Sequence, residues 1–375
     1  MIYFNHAATS FPRPPAVLTA IQASLTQPPQ EPGRSGWEDP LMECRRALMG
    51  LFGLEDPLRV VLTASATLAC NQILRGLELP PGSHVITSCM EHNSILRPLA
   101  AWADQNQGEI TYLPLEEDGS FSSGRIRAAV RDSTRLLAFT HASNVTGVLF
   151  PMEEIIHLAA ERSLPLLIDA SQSVGLVPLD LGAISSPVFV AGAGHKALQG
   201  PPGTGFFVMA GPDVLKPWIA GGTGVHSLDR TQPPMLPYRL EAGTPNTSGF
   251  AGLRAGVLQV LEQTPQVLAA HRCTLAQTLV GDLPTPWRVV SPNPEGDYRT
   301  GVVSLSHPEK SPSEVGLMLQ EIFGIETRWG LHCAPLAHQH LGTFPQGTLR
   351  ISFGESNTLE QVAILKDALF QIGMS

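Results

Sequence analysis

GAGHKALQGPPGTGFFVM, running from Gly192 to Met209, is the stretch on which the fold turns. Gly200 and Gly205 have the separation of the two glycines in G-x-x-x-x-G-K-[ST], a loop whose amides cradle phosphate and whose lysine reaches the terminal phosphates. Phe206 and Phe207 follow where that loop needs an ammonium and a hydroxyl, so the ATP-loop reading fails. The lysine stands upstream, at Lys196. Val188-Phe189-Val190 before it ends near His195, and Gly205–Met209 after it reads as one more buried strand. The question becomes what a lysine does between a strand end and a Gly/Pro turn.

The same rhythm extends outward. Val60-Val61-Leu62 leads into a helical Thr67–Leu77, and His84–Thr87 into Ser94–Gln105. Leu136–Phe139 precedes Met152–Ser163, and Leu166-Leu167-Ile168 ends at Asp169. Such alternation predicts an α/β fold, a mostly parallel sheet covered on both faces, with ligands beyond the carboxyl ends of the strands. His92, Asn144, Asp169 and Lys196 all fall there. Trp218 to Asn246, rich in Gly, Pro and Thr, reads as a long ordered loop. Helical Gly252–Glu262, strand-like Thr300–Leu305, helical Ser313–Phe323, strand-like Thr348–Ile351 and helical Leu359–Leu369 follow. They predict a smaller C-terminal α+β domain. The expected organisation is an N-terminal arm (1–12), a large domain (13–249) and a small domain (250–375) that carries Cys333.

The 375 residues, 43% hydrophobic and 15% charged, fit a globular protein of two domains. A net charge of −9, with scattered Lys and Arg, argues against nucleic acid or an anionic membrane as partner. No signal peptide and no apolar run of transmembrane length is visible. Five cysteines without a C-x-x-C pair predict free thiols and a cytoplasmic location.

Asp169 and Lys196 suggest chemistry because they occur together. A buried lysine forms a Schiff base with an aldehyde, and a carboxylate keeps a pyridinium nitrogen protonated. Taken separately, they read as a turn cap and a surface lysine. Thr63–Thr67 lies between strand and helix, so the Ala66 and Thr67 amides with the Thr67 hydroxyl can meet a phosphate; an ordinary N-cap reads the same way. His92 has the flat ring to stack on a cofactor and can pass protons as a catalytic residue, though alone it is a turn histidine. Cys333 sits on a polar, turn-rich segment, where an exposed, mobile thiol near Arg328 and His332 would be favoured as thiolate. The alternative for Cys333, His338 and His340 is a zinc site, which lacks a second regularly spaced ligand pair. Cys44, Cys70 and Cys89 lie in or beside core elements and read as small buried hydrophobes.

IDASQS (Ile168–Ser173), GAGHKALQGPPGTG (Gly192–Gly205), MEHNS (Met90–Ser94), HASNVTG (His141–Gly147), RLEAGTPN (Arg239–Asn246), RWGLHCAP (Arg328–Pro335) and LRISFG (Leu349–Gly354) together resemble the cysteine desulfurases. These are pyridoxal-phosphate enzymes of the class V aminotransferase superfamily, and the likeness keeps family order from Tyr3 almost to the C-terminus. It implies a fold-type I homodimer. Lys196 would carry pyridoxal 5'-phosphate as a Schiff base, Asp169 would hold its ring nitrogen, Gln172 its phenolate, and His92 would stack on the ring. Asn144 would stand beside the cofactor oxygen and the substrate. Ala66, Thr67 and His195 would bind the phosphate, with Thr244 reaching it from the partner subunit. Arg350, with Arg328 nearby, would bind the substrate carboxylate, and Cys333 would take sulfur from L-cysteine as a persulfide for a sulfur-acceptor protein. A selenocysteine lyase, another β-lyase, an aminotransferase or an epimerase are the neighbouring readings. The chain departs from the pattern at Asn5-His6, where relatives usually have Asp-Asn, at Trp37, where they often have His, and at Ala193, where many have a hydroxyl that contacts phosphate.

Overall fold

The structure, a computed structural model, describes residues 1–28, 39–182, 184–290 and 297–374. Trp37 lies outside the described residues. In chain order the first elements are β1 (Ile2–Tyr3), α1 (Pro15–Thr26), α2 (Pro40–Met49), β2 (Val60–Thr63), α3 (Ala66–Gly76) and β3 (His84–Ser88). Then come α4 (Asn93–Asn106), β4 (Glu109–Leu113), α5 (Ser123–Ala129), β5 (Thr134–Thr140), α6 (Met152–Glu161), β6 (Leu166–Asp169), β7 (Val188–Ala193) and β8 (Gly205–Ala210). The C-terminal third holds α7 (Thr247–Gln263), α8 (Pro265–Gly281), β9 (Arg288–Val289), β10 (Val302–Ser306), α9 (Pro312–Phe323) and β11 (Ile325–Glu326). It closes with β12 (Arg328–Gly330), α10 (Pro335–His340), β13 (Thr348–Ser352) and α11 (Leu359–Met374).

The seven-stranded sheet has the order β2-β8-β7-β6-β5-β3-β4. Its neighbours are parallel except where β8 pairs antiparallel with β2 and β7. The apolar strands supply a core to each face, because alternate side chains point opposite ways. Val60, Leu137, Val190, Phe206 and Val208 join one core, which α2, α6 and α7 cover. Val61, Leu136, Phe189, Phe207 and Met209 join the other, with residues of α3 and α4.

The second, smaller sheet is antiparallel, in the order β12-β13-β10-β9. Its core holds Val303, Leu305, Leu349 and Ile351 with residues of α9, α11 and the distal half of α8. The change of core falls later than residue 250. Phe250, Leu253, Val257 and Val260 of α7 belong to the large core, as do Leu268 and Ala269 of α8, whereas Leu275, Ala276 and Leu279 of α8 belong to the small one. The N-terminal arm bridges both sheets. β1 pairs with β11, Phe4 is buried in the small core, and the Ser10 amide donates to the carbonyl of His195 at 2.9 Å.

No helix or strand interrupts the chain between β8 and α7. The expected long loop is held down by Glu241, whose carboxylate pairs with buried Arg45 through two 2.8 Å contacts and accepts the Leu62 amide at 2.7 Å.

The opening glycine stretch acquires a structural role. As the first residue of β8, Gly205 pairs with both Ala193 and Thr63, so it ties the end of β7 to the end of β2. A Cβ on Gly205 would stand 2.4 Å from the Ser65 carbonyl carbon and 2.7 Å from the Ala66 nitrogen. Gly205→Ala is expected to destabilise the fold by about 1–3 kcal/mol through overpacking against backbone, read as a lowered denaturation midpoint. A variant as stable as the parent would contradict the close packing of strand and turn.

Candidate active site

The carboxyl edge of the large sheet, the N-terminal arm and the β12–α10 turn enclose a cavity of about 220 Å³. Ala66, Thr67, His92, Asn144, Asp169, Gln172, His195, Lys196, Arg328, Cys333 and Arg350 all line it. Eleven positions expected from the sequence therefore meet in one space. Thr244 does not. It lines a separate cavity of about 320 Å³ with Thr63, Ala64 and Glu241.

The turn from β2 into α3 makes one end of the cavity. Ser65 caps α3 by accepting the Leu68 amide at 3.2 Å, and the Ala69 amide bonds to the Ser65 carbonyl at 3.0 Å. The Ala66 and Thr67 amides precede these bonds and belong to the positive end of the helix, where an anion is stabilised. Asp169, the last residue of β6, marks the other end. Its Oδ1 accepts the Ser171 amide and its Oδ2 the Ser94 hydroxyl, each at 2.9 Å. Each carboxylate oxygen keeps capacity for a further donor.

His92 combines both of its sequence readings. Nδ1 caps α4 by accepting the Ser94 amide at 3.0 Å, and the residue also lines the cavity. Burial, reinforced by Lys196, lowers its pKa to about 4, so at neutral pH the ring is uncharged with its proton on Nε2. The Lys196 ammonium is depressed to about 8 by burial, with Arg350 and Arg328 adding to the effect while Asp169 opposes it.

Arg350, on β13, is 1% exposed. It donates to the Asn144 carbonyl at 2.9 Å and to Asn5 Oδ1 at 3.5 Å, and its Nε has no partner. Arg328 faces it across β12 and β13. Two guanidinium groups side by side, with no carboxylate partner among the described residues, make a site for an anion. Burial, with Arg328 adding to it, lowers the Arg350 pKa to about 9.

Two expectations for Cys333 change. Its thiol is exposed, whereas Cys44, Cys70 and Cys89 are buried and Cys273 is half-buried. The segment is nevertheless a short turn rather than a mobile arm. The Cys333 carbonyl accepts the Asn93 amide at 2.7 Å, and the His332 carbonyl accepts Asn144 Nδ2 at 2.7 Å. His332 and Cys333 have φ of +48° and +59°, a left-handed conformation that side chains disfavour. Nor does His332 supply positive charge. It is buried, donates or accepts through Nε2 at Thr348 (3.0 Å to Oγ1), and burial holds its pKa well below 6.5. Lys196 and Arg350 are the cations whose charges interact with Cys333, and Arg328 stands on the same cavity wall.

Ser94, Ser171 and Ala7 are not singled out by sequence and also line the cavity. A signal for Ser171 is present. A short polar residue two positions after a strand-ending Asp favours an Asx turn. Ala7 contributes through its carbonyl, which accepts Gln172 Nε2 at 3.0 Å, and no sequence pattern marks that. Among the described residues no group of three or more His, Cys, Asp or Glu side chains is arranged to hold a metal ion. No helix among them is long and apolar enough to cross a membrane.

The residues present fit pyridoxal phosphate. A buried amine, a carboxylate with spare acceptor capacity and a positive helix end share one cavity, and Arg350 Nε, Asn144 Oδ1 and Ser171 Oγ are buried there without partners.

Residues 2–365 match the family described as Aminotransferase class-V, and the chain belongs to it, within the cysteine desulfurases. A probable cysteine desulfurase of Methanothermobacter thermautotrophicus is 29% identical, over 99% of this chain and 94% of that one. One from Aeropyrum pernix is 32% identical, over 82% and 76%. Among solved structures, a cysteine desulfurase of Escherichia coli aligns over 98% of this chain and 94% of its own, at 27% identity and a TM-score of 0.85. The apo cysteine desulfurase of Thermococcus onnurineus NA1 covers 100% and 94% at 26% identity, with a TM-score of 0.88. The fold is therefore that of the fold-type I enzymes, and the family is one of pyridoxal-phosphate enzymes.

Proposed function

We propose that the protein is a pyridoxal-phosphate-dependent cysteine desulfurase that releases L-alanine from L-cysteine and keeps the sulfur as a persulfide on Cys333. One observation carries the reading: Lys196, Asp169, Arg350 and Cys333 line a single small cavity. When bound, the cofactor supplies an electron sink next to the substrate's α-carbon.

The chain's residues do the rest. The Lys196 amine would hold the cofactor's aldehyde and would serve as the base that moves the substrate's α-proton. Asp169 keeps the ring nitrogen protonated, Gln172 and Asn144 serve the ring oxygen, and His92 covers the ring. The Ala66 and Thr67 amides with His195 hold the phosphate. Arg350, aided by Arg328, grips the substrate carboxylate as a planar fork suits. The Cys333 thiolate then attacks the substrate sulfur, forming an S–S bond as the C–S bond breaks. Holding both reactants in one cavity makes that encounter intramolecular. We assign the protein a homodimeric state, in which Thr244 reaches the partner's phosphate site, and a cytoplasmic location that keeps the thiol reduced. A sulfur-acceptor protein would relieve Cys333 of its sulfur.

Incubation of cofactor-loaded protein with L-cysteine and a reducing thiol tests the reading. Alanine and sulfide should appear in equal amounts, and without the reductant the Cys333 peptide should gain the mass of one sulfur atom. Absence of alanine from coloured, cofactor-loaded protein rejects it.

Cofactor capture adds a test of pH. A protonated amine cannot attack an aldehyde. With Lys196 titrating at about 8, the rate of capture by cofactor-free protein should rise roughly tenfold per pH unit below that value and level off above it. Stopped-flow absorbance from pH 6 to 9 reads the profile, and a rate that is flat across that range contradicts the depressed amine.

A further inference from the structure

We propose that Thr9 is a positioning residue for the phosphate end of the site, acting by selecting which nitrogen of His195 carries the proton. The inference rests on the cofactor reading above.

His195 lines the cavity with Ala66 and Thr67. Its Nδ1 lies 3.1 Å from Thr9 Oγ1, on the arm that joins the two sheets. A hydroxyl has one proton and two lone pairs, so its other partners decide the direction of this bond. Arg13 Nη2 lies 3.1 Å from Thr9 Oγ1, and a guanidinium only donates, so one lone pair is taken. The hydroxyl proton then has two acceptors within reach, His195 Nδ1 and the His195 carbonyl at 3.2 Å. That carbonyl already accepts the Ser10 amide at 2.9 Å and the Ser10 hydroxyl at 3.3 Å. Nδ1, at 3.1 Å, is the nearer acceptor and has no other donor among these groups, whereas the carbonyl is shared with Ser10, so we assign the Thr9 proton to Nδ1.

The ring itself is neutral. Burial, with Lys196 and Arg13 adding to it, lowers the His195 pKa to about 4. A neutral imidazole that accepts at Nδ1 carries its proton on Nε2, the ring edge away from Thr9. A phosphate oxygen needs an N–H there, whereas the other tautomer would meet it with a lone pair. Ala193, also on the cavity wall, brings no hydroxyl, so more of the phosphate binding rests on His195.

The test compares wild type, Thr9→Val and Thr9→Ser. Cofactor-free protein is titrated with pyridoxal phosphate and, separately, with pyridoxal, which has no phosphate. Ring nitrogen shifts are read from protein labelled with ¹⁵N-histidine, with a histidine-substituted variant assigning His195. Wild type should show His195 protonated on Nε2. Thr9→Val should bind pyridoxal phosphate about tenfold or more weakly yet bind pyridoxal as wild type does, and Thr9→Ser should restore both affinity and tautomer. A wild-type ring protonated on Nδ1 overturns the proposal. So does a Thr9→Val affinity for pyridoxal phosphate within twofold of wild type, or an equal loss for pyridoxal. Should wild type take up no pyridoxal phosphate at all, the cofactor reading falls, while the ring shifts still decide the tautomer.

Discussion

Cys333→Ala is expected to lower alanine formation from L-cysteine by about 10³-fold or more while leaving cofactor capture and colour unchanged. The magnitude follows from removing the group that accepts the sulfur, because a lost nucleophile has no partial substitute. No other thiol is placed to replace it. Cys44 and Cys89 are buried, with burial pushing their thiols up to about 12 and about 11. Burial raises Cys70 well above its ordinary value, and Cys273 lies beside Tyr298, away from the cavity lining. The measurement is steady-state alanine release together with the absorption spectrum. A Cys333→Ala variant that turned over cysteine at the parent's rate would reassign the chemistry to a β-lyase or aminotransferase of the same fold.

Lys196→Ala should act more severely, by about 10⁴-fold or more, because one amine performs two tasks. On the proposed reading it tethers the cofactor and moves the α-proton, and the second alone is worth about 10²–10⁴. Borohydride reduction followed by peptide mass analysis should find no pyridoxyl group on the variant and one on the Lys196 peptide of the parent. Lys196→Arg should rescue neither task, since a guanidinium stays charged and offers no free amine. Pyridoxyl attached elsewhere in active wild type would remove Lys196 from the centre of the site.

Much of this was legible in the chain because the informative residues sit at strand ends. The β-branched and apolar runs at Val60, Leu136, Leu166 and Val188 become buried strands, and the polar residues that close the first three (Thr63, Thr140, Asp169) and follow the fourth (His195, Lys196) are carried to the same edge. What escaped was what tertiary context decides. The sequence reading assigns no element to β4, an edge strand whose residues are exposed or half-exposed apart from Leu113, nor to β9, β11 and β12, which are two or three residues long and exist through their pairing. The fixity of the Cys333 turn escaped for the same reason. Its anchors are Asn93 and Asn144, the latter 188 residues from His332, and nothing in RWGLHCAP announces them. The neutrality of His332 is likewise a property of burial, which a neighbouring residue in sequence cannot supply.

α8 has a bearing on how the enzyme admits its substrate. A continuous helix of 17 residues is embedded at one end in the large core and at the other in the small one. Swinging one lobe away from the other would require bending that beam or withdrawing Leu268 or Leu275 from packed surroundings. The expected consequence is that substrate entry leaves the two lobes in the same relative position, so a substrate-bound structure should superpose on this one with α8 straight.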